Sequence, residues 1–265
     1  MLSDSNARLA AARGLTGSRA RREAGRFLAE GSQAISQALR RPGVVLEIFA
    51  TAEALTRYAD LLDGAPEGTV AQISERAAAG LSETVHPQGL VAVCQAVDVS
   101  LADVLNGTPR LVAVLVEAND PGNAGTILRT ADAAGADAVL FAGGSVDLYN
   151  GKLVRATAGS LFHLEVVTGL DPASVIEACR SAGLLTAATT GAGSSDLGQL
   201  IDDGALTRPT AWIFGNEARG LAPELVDLAE LSVRLPIYGA AESLNVAAAA
   251  AVCLYSSARQ HRHGG

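Results

Sequence analysis

Three short segments concentrate the residues able to hold and orient an anionic substrate. The first, Glu117 to Asp132, reads EANDPGNAGTILRTAD. Pro121, Gly122 and Gly125 turn the backbone sharply into a helix whose opening amides attract an anion, and Asn123 and Arg129 flank its first turns. The second, Trp212 to Pro223, reads WIFGNEARGLAP. There Gly215 and Gly220 supply permissive backbone, Glu217 a carboxylate, and Arg219 a fork-shaped donor matched to phosphate. The third, Leu235 to Val246, reads LPIYGAAESLNV and runs into the alanines 247 to 251. Ser243 is the expected N-cap of that helix, with Asn245 in its first turn, where an amide side chain needs a partner. Taken singly, each segment also fits a plain structural role as cap, turn or surface arginine.

Each segment follows an apolar run of strand length, and these runs must position them. From residue 110 onward the pattern is strand (111–116), helix (122–135), strand (138–141), helix or loop (147–158), strand (164–167) and helix (172–182). Strands at 184–189, 210–214 and 231–235, a short helix at 223–228 and a helix at 243–260 complete it. Such alternation predicts an α/β fold, a parallel sheet with helices on both faces, and ligands bind beyond the carboxyl ends of strands in such sheets. Before it, strands at 27–29, 44–49 and 89–94 alternate with helices at 31–41, 52–62 and 74–81, which predicts a small α/β unit. The polar break Asn106-Gly107-Thr108-Pro109 separates the two, so the domains are expected at 1–103 and 108–265.

Composition excludes several classes. Of 265 residues, 49% are hydrophobic and 18% charged, which rules out wholesale disorder and a coiled coil. Cys94, Cys179 and Cys253 lack the spacing of a zinc ribbon or a disulfide framework, and no metal is expected. His86, His261 and His263 have no catalytic neighbours in sequence. No leader and no run of 18 strongly apolar residues is visible, so a soluble, cytoplasmic protein without a membrane partner is expected. The net charge of −8 conceals an asymmetry. Residues 1 to 41 carry eight arginines against three acids, a local +5 that leaves −13 for the remainder. A basic arm on an acidic body predicts phosphate contacts from Arg19, Arg21, Arg22 and Arg26. Lys152, Arg155 and Arg219 are expected to add secondary ones.

Together, NxGxxxR (Asn123, Gly125, Arg129), FGNExxGL (Phe214 to Leu221) and SLNVAxAxA (Ser243 to Ala251) resemble the three motifs of the TrmH (SpoU) family of the SPOUT superfamily, over about residues 111 to 258. Residues 1 to 100 resemble, in layout and length, the small RNA-binding α/β domain that often precedes it. Closest in organisation are the two-domain 23S rRNA members, including the thiostrepton-resistance methyltransferases.

The resemblance implies an S-adenosylmethionine-dependent enzyme that methylates a ribose 2′-hydroxyl of RNA, most closely of 23S rRNA, with a trefoil knot in its C-terminal domain. It implies a cofactor site at Thr189, Thr190, Gly191, Phe214, Gly215, Asn216, Leu235, Ile237, Leu244 and Ala247. It also implies a homodimer in which Arg129 of one subunit faces the other's cofactor, with Arg129, Asn123, Glu217, Ser243 and Asn245 as the catalytic set. Arginine is too weak an acid to serve readily as a base, so Arg129 is expected to stay cationic, grip the adjacent phosphate and stabilise the developing alkoxide. Asn123 and Asn245 would orient the ribose, Ser243 would bond near the acceptor, and Glu217 would fix its loop or take the proton through water. A nicotinamide oxidoreductase would need GxGxxG after its first strand, and none exists. A tRNA ribose methyltransferase and an RNA-binding protein that has lost transfer remain the alternatives.

Overall fold

A computed structural model describes residues 1–84 and 87–263, less the side chain of His263, so His86 and the imidazole of His263 lie outside the described residues. The chain divides into two compact units, Met1–Val97 with Asp147–His163, and Asp98–Val146 with Leu164 onward.

The first unit holds a four-stranded sheet of β1 (Arg26–Glu30), β2 (Val45–Ala50), β3 (Val70–Gln72) and β4 (Leu90–Gln95), in the order β1-β4-β2-β3. β4 is antiparallel to both neighbours, and β2 and β3 are parallel. The arginine-rich start forms two short helices, Ala7–Gly14 and Ser18–Ala24, and the first buries Leu9 and Ala12 against Phe49, Ile73 and Val91. The single helix expected at 52–62 breaks at Tyr58 into Ala52–Arg57 and Ala59–Leu62. Segment 147–163, expected within the second domain, packs in this unit. Tyr149 stacks on Phe27 at 4.5 Å and its hydroxyl accepts from Val97 N at 2.7 Å.

Two of the arginines expected to meet RNA are committed to this packing. Arg21 is 6% exposed and donates from Nε and Nη2 to Asp147 Oδ2 at 3.1 and 2.6 Å, and from Nη1 to the carbonyls of Leu15 and Thr16. Its guanidinium neutralises a carboxylate inside the fold, and the phosphate contact expected of it is corrected accordingly. Arg155 donates to Glu30 Oε2 at 3.2 Å and pairs with Glu83, while Ser82 and Thr84 hydroxyls fill Glu30 Oε1. It too is a packing cation, because moving it would leave Glu30, itself nearly buried, without its counter-charge.

The second unit is built on seven parallel strands: β5 (Leu111–Val116), β6 (Ala138–Ala142), β7 (Glu165–Leu170), β8 (Leu185–Thr189), β9 (Ser195–Asp196), β10 (Thr210–Phe214) and β11 (Leu231–Arg234). Their order is β7-β6-β5-β10-β8-β11-β9. Every residue of β5, β6 and β10 is buried, which is why these strands read as unbroken apolar runs: helices cover both faces. Alternate residues divide the core. Val112, Val114, Ala211 and Ile213 pack with Val175, Ile176 and Cys179 of helix Pro172–Ser181. On the other face Trp212 donates its indole N–H to Ser257 Oγ at 2.9 Å, tying the sheet to the helix Val246–His263. Helix Leu101–Asn106 belongs here, since Val99 N bonds to Val166 O in β7's territory, so packing divides the chain at 97/98 rather than at the polar break.

All three cysteines are buried and free. Burial pushes the thiols of Cys94 and Cys179 up to about 12 and about 11, and that of Cys253 also upward, so none is a thiolate nucleophile. Among the described residues no helix is long and apolar enough to cross a membrane.

Candidate active site

The three motif segments leave the carboxyl ends of β5, β10 and β11, and β5 neighbours β10 in the sheet. Loop one starts at Glu117 and enters helix Pro121–Ala134. Asp120 caps that helix, its Oδ1 accepting from Asn123 N at 2.7 Å, with Pro121 in the first turn.

Loop two is fastened to loop one by three side chains, those of Glu217, Asn216 and Arg219. Glu217 accepts from the backbone amides of Asp120 at 3.2 Å and Asn119 at 3.4 Å. Asn216, 9% exposed, donates from Nδ2 to the carbonyl of Glu117 at 2.8 Å, while its Oδ1 accepts from Ala218 N and Arg219 N. The loop doubles back at once: Asn216 and Gly220 exchange both backbone hydrogen bonds. Gly215 permits this, because a Cβ there would lie 2.4 Å from Gly220 C and 2.5 Å from Leu221 N.

Loop three is joined to loop one through Asn245, whose Nδ2 donates to Asn123 Oδ1 at 3.0 Å. Its Oδ1 accepts from Ala247 N at 2.8 Å and Ala248 N at 3.3 Å, so Asn245 is the cap of a helix that begins at Val246. That corrects the expectation for Ser243, which is exposed, lies outside the helix and makes no hydrogen bond among the described residues. The amide of Asn245 therefore has two duties: its oxygen closes the helix and its nitrogen reaches the other loop. Arg129 is exposed on helix Pro121–Ala134 and makes no hydrogen bond or ion pair among the described residues. The exposed guanidinium of Arg219 meets Glu117 Oε2 at 2.6 Å. Glu117 is a participant that sequence reasoning missed. Its left-handed backbone (φ 51) has no sequence signal in a glutamate.

The strands next to one another on the far side, β10, β8 and β11, end in the segments expected to hold a cofactor. Thr189 Oγ1 donates to Ile213 O, Thr190 N to Val233 O, and Gly193 lies so close to the end of β11 that a Cβ would sit 2.5 Å from Arg234 N. Phe214 and Ala247 are buried, whereas Ile237 and Leu244 leave apolar surface 38% and 43% exposed. Main-chain groups, hydroxyls and unburied apolar side chains fit an adenosine-bearing ligand. Among the described residues no group of three His, Cys, Asp or Glu could hold a metal ion.

Gly215→Ala tests this geometry. The new methyl would have to displace backbone at 2.4 Å, overpacking that costs about 1–3 kcal/mol. The expected result is a loss of S-adenosylmethionine affinity of roughly tenfold or more by calorimetry. Unchanged affinity would remove loop two from the cofactor site.

Residues 110–255 match the SpoU rRNA Methylase family, and residues 6–92 match the MRM3-like substrate binding domain. The chain is 38% identical over 232 residues to the 23S rRNA (guanosine(2553)-2′-O)-methyltransferase RlmP of Bacillus subtilis, covering 86% of this chain and 87% of that one. Among solved structures it resembles the SpoU methyltransferase AviRb of Streptomyces viridochromogenes in complex with AdoMet, at 32% identity and a TM-score of 0.85, covering 98% of this chain and 99% of the other. An AdoMet-bound rRNA methyltransferase from Sinorhizobium meliloti gives 29% identity and a TM-score of 0.82, over 98% and 97%.

Proposed function

The chain belongs to the SpoU rRNA methylase family, and from that premise we propose that it transfers a methyl group from S-adenosylmethionine to a ribose 2′-hydroxyl of 23S rRNA. The relative from B. subtilis is named for that activity, and two structural neighbours hold AdoMet. The observation that carries the reading is the tying of both other loops to loop one at the carboxyl ends of the parallel strands, Glu217 accepting from the amides of Asn119 and Asp120 and Asn245 donating to Asn123.

S-adenosylmethionine supplies, when bound, a sulfonium methyl open to in-line attack. The chain's own residues then have to hold the ribose, shield it and stabilise charge. Arg129, exposed and without a hydrogen bond or ion pair among the described residues, grips a phosphate next to the target and stabilises the oxygen as its proton passes to water. The Asn123–Asn245 pair orients the ribose. Glu217, with both oxygens on backbone amides, fixes the loops, so of its two expected roles the positioning one is favoured. Ser243, exposed and without a hydrogen bond among the described residues, is left able to turn toward a bound hydroxyl.

In this reading the unit of Met1–Val97 with Asp147–His163 binds RNA and the unit of Asp98–Val146 with Leu164 onward carries out transfer, a division supported in outline by the family matches at 6–92 and 110–255. Arg22 and Arg26 are exposed, and among the described residues Arg19 is bonded only to Glu23, at 2.7 Å, which suits phosphate contact; Lys152 is exposed as well. The trefoil knot belongs to the same reading, supported by the likeness to the SpoU methyltransferase structures. So do a cytoplasmic location, where rRNA is found, and a homodimer. Helix Val246–His263 carries an apolar stripe, Ala248, Val252 (46% exposed) and Tyr255 (51%), at the spacing of one helix face. Tyr255→Asp is expected to convert a sedimenting dimer into monomer. A wild-type monomer, or a variant that stays dimeric, would refute the assignment.

The test of function is a map of ribose methylation across total rRNA and tRNA with and without the protein. One 23S position lost in its absence is expected. A lost tRNA position would move the substrate, and no change would favour the reading as a binding protein.

A further inference from the structure

Three carboxylates crowd the two joined loops, and they are answered differently. Glu217 is bonded to the amides of Asn119 and Asp120, and Asp120 to that of Asn123. Glu117 is answered by a side chain, the guanidinium of Arg219 at 2.6 Å. The pair is open to water, with side chains 44% and 72% exposed, so it adds little to stability. Yet the fold imposes it. Glu117 sits at φ 51, a conformation that a residue with a Cβ keeps only where its surroundings over-determine it. Its N–H donates to Ala142 O, its carbonyl accepts from Asn216, and its Cγ lies 3.1 Å from where a Cβ on Gly143 would stand. These contacts aim the carboxylate across loop two.

We propose that Glu117 is a displaceable stand-in for an RNA phosphate. In the RNA-free protein its carboxylate occupies the fork of Arg219, and a backbone phosphate beside the target ribose replaces it on docking. The inference rests on the methyltransferase reading above and adds to it a specificity-determining residue outside the three motifs. Carboxylate and phosphate both offer the oxygens that match a guanidinium, and phosphate brings more charge. The released carboxylate, already half in water, needs little further hydration. The exchange makes the affinity contributed by Arg219 a net quantity, so that phosphates presented elsewhere on a polyanion gain less.

The experiment measures binding of an unmodified 23S rRNA transcript across a salt series. Glu117→Gln is expected to tighten binding about two- to fivefold at low salt, since it removes the competitor. Arg219→Ala is expected to weaken binding and to lower the slope of log K against log salt by roughly 0.7–0.9, one phosphate contact. Combined with Arg219→Ala, Glu117→Gln should have no effect. A gain that survives in the Arg219→Ala background reflects general charge and overturns the proposal, as does a Glu117→Gln protein that binds no more tightly. An unchanged salt slope in Arg219→Ala overturns it independently, even if Glu117→Gln does not fold. Methyl incorporation by the wild-type protein is measured in parallel. Its absence removes the parent reading, and its presence leaves the two-residue cycle to judge Glu117 alone.

Discussion

Arg129→Ala is expected to cut the single-turnover rate of methyl transfer by about 10²–10³, the cost of losing one aligned charge at a reacting oxygen, while S-adenosylmethionine binds with unchanged affinity. Arg129 is exposed in the middle of helix Pro121–Ala134 and makes no hydrogen bond or ion pair among the described residues, so nothing in the fold depends on it. Alanine is at least as good a helix former, and the melting temperature should hold. A rate loss without a stability loss therefore isolates chemistry from folding. Retained turnover in Arg129→Ala would remove the central residue from the mechanism. A pH profile in which a titration vanishes in Arg129→Lys but survives in Glu217→Gln would instead make Arg129 the base.

Asp147→Ala should destabilise the protein by about 3 kcal/mol, because it strands a buried guanidinium. Arg21 is 6% exposed, and two of its three bonded nitrogens depend on Asp147 Oδ2. The carboxylate has a second duty, since Oδ1 accepts from Tyr149 N at 3.0 Å and shapes the turn that places Tyr149 against Phe27. Denaturant unfolding measures the loss. Arg21→Ala should behave in the same direction, with RNA affinity per folded molecule and its salt slope unaltered. A stable Arg21→Ala protein with a shallower salt slope would return Arg21 to the set of phosphate contacts.

Arg21 and Arg22 show where reading by residue type stops. They are adjacent, chemically identical and drawn from the same basic arm, yet one is buried on a carboxylate 126 positions away and the other is exposed. Charge counting treats them alike because desolvation and pairing depend on which segment of chain returns beside them. The same holds for Arg155, whose partners Glu30 and Glu83 lie far off in sequence. Ser243 and Asn245 differ by two positions. Both have side chains that cap helices, and the choice between them was made by Asn123, which offers Asn245 a partner across the loops.

Local composition by itself determined the parallel α/β architecture, the strands at 111–116 and 210–214, and the loops on which chemistry would sit, because burial on both faces forces continuous apolar runs and glycine forces turns. The two- and three-residue strands β9 and β3 escaped notice, being too short to show a period. Tertiary structure alone decided which charged side chains are spent and which are free. A guanidinium's availability is set by the carboxylates folded against it, and sequence does not order those by distance in space.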